Sequence, residues 1–166
     1  MRKYVKKPTV IVIAVLAALA VAVAVLAMLN RSNAAAKQRL LADSEFLIIA
    51  GEDEHTVAMG EFLSLGQREI EAIYKKSGKD PETRAFTGVP FAEILRMKGI
   101  DLAGFRTVVF SAADGYASAL PIADALDESS CFIVADGGGD GPFRMVMAKD
   151  QFSQRWCKLL TDVTLK

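Results

Sequence analysis

Residues Val109–Leu120 read VFSAADGYASAL, two short apolar runs that meet at Asp114-Gly115. In the run from Arg106 to Ser111, Val108 and Phe110 fall on one face, which is the period of a strand. Tyr116 to Leu120 makes the return strand. Asp-Gly between alternating runs is a strong hairpin signal, because both residue types tolerate positive φ. The stretch therefore reads as two antiparallel strands, and it sets the scale for the rest of the chain. Its polar tip, with Asp114 and Tyr116, also has the composition of the lip of a site.

Working outward, the same arrangement occurs twice. Pro121 follows the hairpin and opens PIADAL, a short helix. Upstream, Thr87-Gly88-Val89-Pro90 leads into Phe91, Ile94 and Leu95, whose i, i+3, i+4 spacing gives one apolar helical face, ended by Gly99. Proline suits the first turn of a helix, where its missing N–H would be unpaired anyway. Phe46–Ala50 and Thr56–Met59 flank GEDEH and read as another hairpin, which leaves the lone His55 in a solvated loop. Gly60–Leu65 has room for one helical turn. Arg68–Lys75, the turn SGKDPE and Thr83–Phe86 form a further strand pair.

Cys131–Ala135 and Phe143–Met147 read as strands joined by the loop DGGGDGP. Asp150 to about Lys158 reads as a helical turn, and Leu160–Leu165 as a last strand. Many short strands with short helices between them define an α+β domain over 44–166, a compact mixed or antiparallel sheet.

The N-terminal part is of another kind. Thr9–Leu29 is a run of Val, Ile, Leu and Ala with no charge. At about 1.5 Å per residue it is long enough for a hydrocarbon core of roughly 30 Å. It reads as a transmembrane helix after a basic tail, 1–8, and before a juxtamembrane stem, 30–43. Arg2, Lys3, Lys6 and Lys7 precede it, so the positive-inside rule sets a cytoplasmic N-terminus, a single pass through the cell membrane and an extracytoplasmic C-terminal domain. The rival is a signal peptide cleaved near Ala34-Ala35-Ala36, but the apolar run exceeds the usual h-region of about 7–15 residues.

Five of the 20 Lys and Arg precede Lys37, and none of the 20 Asp and Glu do, which leaves the remainder with a net charge of −5. An acidic domain excludes nucleic acid as a natural partner and does not favour lying flat on an anionic membrane. The sequence contains no P-loop, no dinucleotide fingerprint after a strand and no nucleophile elbow. With one histidine it builds no nucleophilic triad. Cys131 and Cys157 lie in apolar surroundings and read as two buried thiols. No residue emerges as catalytic and none as a metal ligand.

The ordered set FTGVPFAEILRMKGI, VVFSAADGYASALPIADAL, CFIVAD, GPFRMVM and RWCKLLTDVTL resembles the oxidoreductase molybdopterin-binding domain, the core fold of sulfite oxidases and their bacterial relatives. The resemblance covers about Phe46 to Lys166. It implies cofactor-binding roles for Asp114 at the hairpin tip, for Arg144 in GPFR, and for Arg155, Trp156 and Lys158 in RWCK. A pterin bearing phosphate needs guanidinium and ammonium donors, which these residues supply.

The chain departs from the family at the metal. The family's molybdenum-binding cysteine precedes the TGVP motif, and here REIEAIYKKSGKDPETRAF contains none. The histidine expected before GPFR is also absent, with glycines in its place. The N-terminal MRKYVKK lacks the Arg-Arg pair of the export route taken by folded, cofactor-loaded enzymes. The expectation is a short, membrane-anchored form of the fold that acts as a non-catalytic binding or interaction module, with the membrane and an exported redox or membrane protein as partners. The alternative is a molybdopterin-dependent oxidoreductase or a subunit of one, in which molybdopterin is the cofactor.

Overall fold

The structure is a computed structural model that describes residues 42–75, 78, 80–135 and 141–166. Upstream it describes five isolated positions, Leu16, Leu19, Val21, Val23 and Val25, which are helical and exposed. The chain divides into two compact units, Met1–Leu40 and Leu41–Lys166. The expected tail 1–8, helix 9–29 and stem 30–43 lie outside the described residues but for those five positions and Ala42 and Asp43. Among the described residues no helix is long and apolar enough to cross a membrane.

The second unit is α+β, as expected, but it is built on two sheets. The first has the order β2-β1-β9-β5-β6, and the second the order β3-β4-β7-β8. Strands β1 (Glu45–Ala50) and β2 (Asp53–Ala58) form the first hairpin. Helix α1 (Met59–Ser64) follows, then the pair β3 (Arg68–Tyr74) and β4 (Glu82–Pro90). Helix α2 (Phe91–Met97) leads to β5 (Thr107–Ala112) and β6 (Ala117–Pro121), and α3 (Ile122–Leu126) leads to β7 (Cys131–Val134). Strand β8 (Arg144–Met147), a 3₁₀ turn (Ser153–Arg155) and β9 (Leu160–Leu165) complete it. The sheets are antiparallel throughout except where β1 meets β9 in parallel.

Residues of both sheets share one core. Phe143, just before β8, packs edge-on against Phe46 of β1 at 5.0 Å and Phe62 of α1 at 5.4 Å. Phe91 of α2 meets Phe110 of β5 at 5.0 Å. Each of these rings is fully buried, and burying one is worth roughly 2–3 kcal/mol against exposure, with about 1 kcal/mol more from each edge-to-face pair.

Three local readings need correction. The first hairpin turns at Gly51-Glu52 alone, with Gly51 at φ +68°, and Asp53–His55 belongs to β2. His55 pairs with Ile48 and is half-buried in a strand, not solvated in a loop. The charged residues hide this strand, in which Val57 is the one fully buried residue. Pro90 and Pro121 cap their helices from outside: with φ near −55° and extended ψ, each ends a strand and gives way to a helix beginning one residue later. Finally, Asp150–Lys158 contracts to the 3₁₀ turn, because Cys157 bridges to Met145 and draws the chain into sheet pairing.

Candidate functional site

The β5–β6 loop is held by Ala112 N–H donating to the Tyr116 carbonyl at 2.9 Å. Three residues lie inside it, and only Gly115, at φ +86°, is left-handed. Asp114 keeps ordinary φ, and its Oδ1 accepts the Tyr116 N–H at 3.1 Å. This is the three-residue hairpin with glycine in the left-handed position, rather than the two-residue turn.

The hairpin fastens the 3₁₀ turn. Tyr116 Oη donates to the Gln154 carbonyl at 2.7 Å, and Ser118 Oγ donates to the Arg155 carbonyl at 2.7 Å. On the far side, the Lys75 N–H at the end of β3 donates to Ser153 Oγ at 3.2 Å. The clamped segment borders an open cavity of about 260 Å³, lined by Asp114, Tyr116, Ser153, Gln154, Trp156 and Lys158.

Trp156 forms its inner wall. It is 3% exposed, its Nε1 donates to the Met147 carbonyl at 3.2 Å, and its ring lies 5.7 Å from Tyr74 and 5.4 Å from Phe86. Lys158 Nζ donates to Tyr74 Oη at 3.1 Å and sits 5.0 Å from the centre of that ring. Arg84 covers Tyr74 at 4.4 Å, and Arg144 approaches Phe86 at 5.5 Å. Cations thus flank a buried aromatic cluster, an attractive arrangement for ring quadrupoles.

Of the five residues singled out from the sequence, the structure brings Asp114, Trp156 and Lys158 together. The other two sit elsewhere. Arg144 is buried in β8, one ring removed from Trp156 through Phe86. Arg155 turns away from the cavity to two carboxylates: its Nε donates to Asp150 Oδ2 at 2.8 Å, its Nη2 bonds Asp150 Oδ1, and its Nη1 donates to Asp124 Oδ2 at 2.8 Å. These bonds push its pKa above the usual guanidinium value. Ser153 and Gln154 join the site without a sequence signal; they are small polar residues of a turn, and only the hairpin clamp places them there.

The thiols bear on what the site can hold. Cys157 lies between two lining residues, yet its Sγ points inward, 3.5 Å from the Phe110 carbonyl. Burial pushes its pKa up to about 12, with the Asp114 and Asp162 carboxylates adding to the shift. Burial raises Cys131 as well. Both thiols are free and buried, in keeping with the reading of two core residues. Among the described residues no group of three or more His, Cys, Asp or Glu is placed to hold a metal.

The fold has a counterpart among solved structures. It is similar to the crystal structure of the sulfane dehydrogenase SoxCD from Paracoccus pantotrophus, with a TM-score of 0.62 and 13% sequence identity, over 75% of this chain and 38% of that one. The chain thus spans well under half the length of that neighbour. At this identity the likeness is one of fold, and it supports a distant molybdopterin-oxidoreductase-like fold, the one the sequence resembles. No family model and no curated protein matches the chain.

Proposed function

We propose that this protein is a membrane-anchored, extracytoplasmic member of the molybdopterin-domain-like fold that serves as a binding or interaction module and performs no molybdenum chemistry. The observation that carries this reading is the state of its sulfur. A molybdenum centre of this fold needs a thiolate from the segment before TGVP, and that segment, β3 and the start of β4, holds no cysteine. Cys131 and Cys157 lie elsewhere, buried in the core, and neither lines the cavity. Donors for a pterin are equally thin: Lys158 is the cation on the cavity wall, and Arg155 is engaged by Asp124 and Asp150. The residues present do not fit the metal-bearing cofactor, and no catalytic step is derived through it.

What the cavity offers instead is an aromatic wall, one ammonium and one carboxylate, a set suited to a small polar ligand or a partner's side chain. The charge balance and the 9–29 segment support placement at the outer face of a membrane. The test uses the full chain, produced in its native host and purified from membranes. Metal analysis and pterin fluorescence after acid release should give substoichiometric molybdenum and no pterin. Molybdenum at one atom per chain would overturn the reading in favour of an oxidoreductase. Protease accessibility in intact cells checks the orientation: the domain is cleaved from outside if the reading holds.

A further inference from the structure

A second hollow lies on the other side of the domain, where the β1–β2 hairpin faces the loop after α2. It has a volume of about 330 Å³ and an apolar floor of Ala50, Ile100 and Phe105. Its rim carries Asp53, His55 and Asp101. Asp53 and His55 are on the same face of β2 as the core residue Val57, four and two positions before it, so the strand carries them past the end of the core to the rim.

Ion pairs neutralise part of the domain's acidic surface. Glu61 is paired with Lys98, Glu93 and Glu128 with Arg68, Asp127 with Lys149, and Asp124 and Asp150 with Arg155. On the rim of the hollow, Asp53 and Asp101 enter no ion pair among the described residues, as is also true of Glu69, Glu71 and Asp162 elsewhere. Both are exposed. Asp101 uses only Oδ1, accepting the Ala103 N–H at 2.9 Å. Finally, β2 stands at the end of its sheet's strand order, and an outer strand offers main-chain donors and acceptors to an extended chain.

We propose that this hollow and the edge of β2 form a docking surface for an extended segment of another exported protein, one that alternates apolar side chains with Lys or Arg. The segment adds to β2, seats an apolar side chain on Ile100 and Phe105, and sets its cations against Asp53 and Asp101. Charge complementarity selects this occupant. A second copy of the chain in a two-fold pair would bring the same acidic rim against itself, and an anionic bilayer would be repelled by it. The surface is separate from the Trp156 cavity, so the inference stands or falls independently of what that cavity holds.

The test measures binding of labelled, end-blocked peptides to the full chain in zwitterionic nanodiscs, by fluorescence anisotropy, with empty nanodiscs as blank. The probes are KLKLKL, ELELEL and KSKSKS. KLKLKL should bind about tenfold more tightly than KSKSKS, the return for burying one leucine side chain, and ELELEL should not bind. Asp53→Asn and Asp101→Asn should each weaken KLKLKL by about threefold and flatten its salt dependence, since exposed pairs carry modest energies. Both positions are exposed, so these variants keep the fold. Three results would overturn the proposal: no binding of KLKLKL, equal binding of all three peptides, or affinity unchanged in the double variant. Self-association of the chain that KLKLKL competes away would assign the face to a second copy and overturn it as well.

Discussion

Arg155 and Cys157, separated by one residue in the chain, show how far a side chain's surroundings decide its chemistry. Both sit in the RWCK segment whose resemblance implied cofactor contact. Arg155 instead joins the 3₁₀ turn to Asp150, mostly buried, and to Asp124 at the start of α3. Arg155→Met removes a bidentate partner and leaves Asp150 facing Asp124 unneutralised. The expected cost is about 1–2 kcal/mol, read from the urea midpoint, with part recovered in Arg155→Met combined with Asp150→Asn. Cys157, two residues on, is a thiol held in the core. In native protein at pH 8 an aromatic disulfide reagent should label neither cysteine at a measurable rate, and labelling should rise only with the unfolded fraction as urea is added. Rapid labelling of the native chain would reopen a role for Cys157 at the cavity.

At the scale of elements, the seam between β4 and β7 is the sensitive point. Gly88 pairs with Arg68 of β3 on one side and Val134 of β7 on the other. A Cβ there would stand 2.7 Å from the Ile133 carbonyl oxygen and 2.9 Å from Val134 Cγ2. Backbone does not yield as a flexible side chain does, so Gly88→Ala should cost about 1–3 kcal/mol by overpacking, with an unchanged denaturant slope. The TGVP motif was legible in the sequence as the prelude to a helix, but the reason for its glycine was not, because the close approach comes from β7, more than 40 positions on. The same limit explains the other differences. Local alternation around Asp-Gly revealed β5 and β6, whereas the split into two sheets depends on β1 joining β9, the first strand to the last. Of the site, Asp114 was visible as a hairpin tip and Trp156 and Lys158 through the resemblance. Their meeting depends on Tyr116 and Ser118 reaching the carbonyls of the 3₁₀ turn, which no period in the sequence encodes.

For the whole unit, the titrating groups define a stability window with a distinct alkaline edge. At the acid side, Lys149 and Ser129 lower the Asp127 carboxyl to about 2, Lys98 lowers Glu61, and Arg96 and Arg68 lower Glu128. A lowered carboxylate contributes stability above its unfolded value and loses it as pH falls through its folded value. These groups are exposed, so the decline between about pH 4 and 2 should be shallow and weakened by salt. The thiols act with the opposite sign. Burial raises Cys157 to about 12 in the fold, and Cys131 is also raised, so above the ordinary thiol range the unfolded chain binds fewer protons than the native one. Stability should therefore be full below about pH 8.5 and fall above it as the unfolded thiols ionise. Thermal unfolding of the full chain in nanodiscs, followed from pH 2 to 11, checks both edges. Cys131→Ala with Cys157→Ser lowers the melting point at neutral pH through lost packing, yet it should flatten the decline above pH 8.5. An alkaline slope that persists in the double variant would assign that edge to other groups.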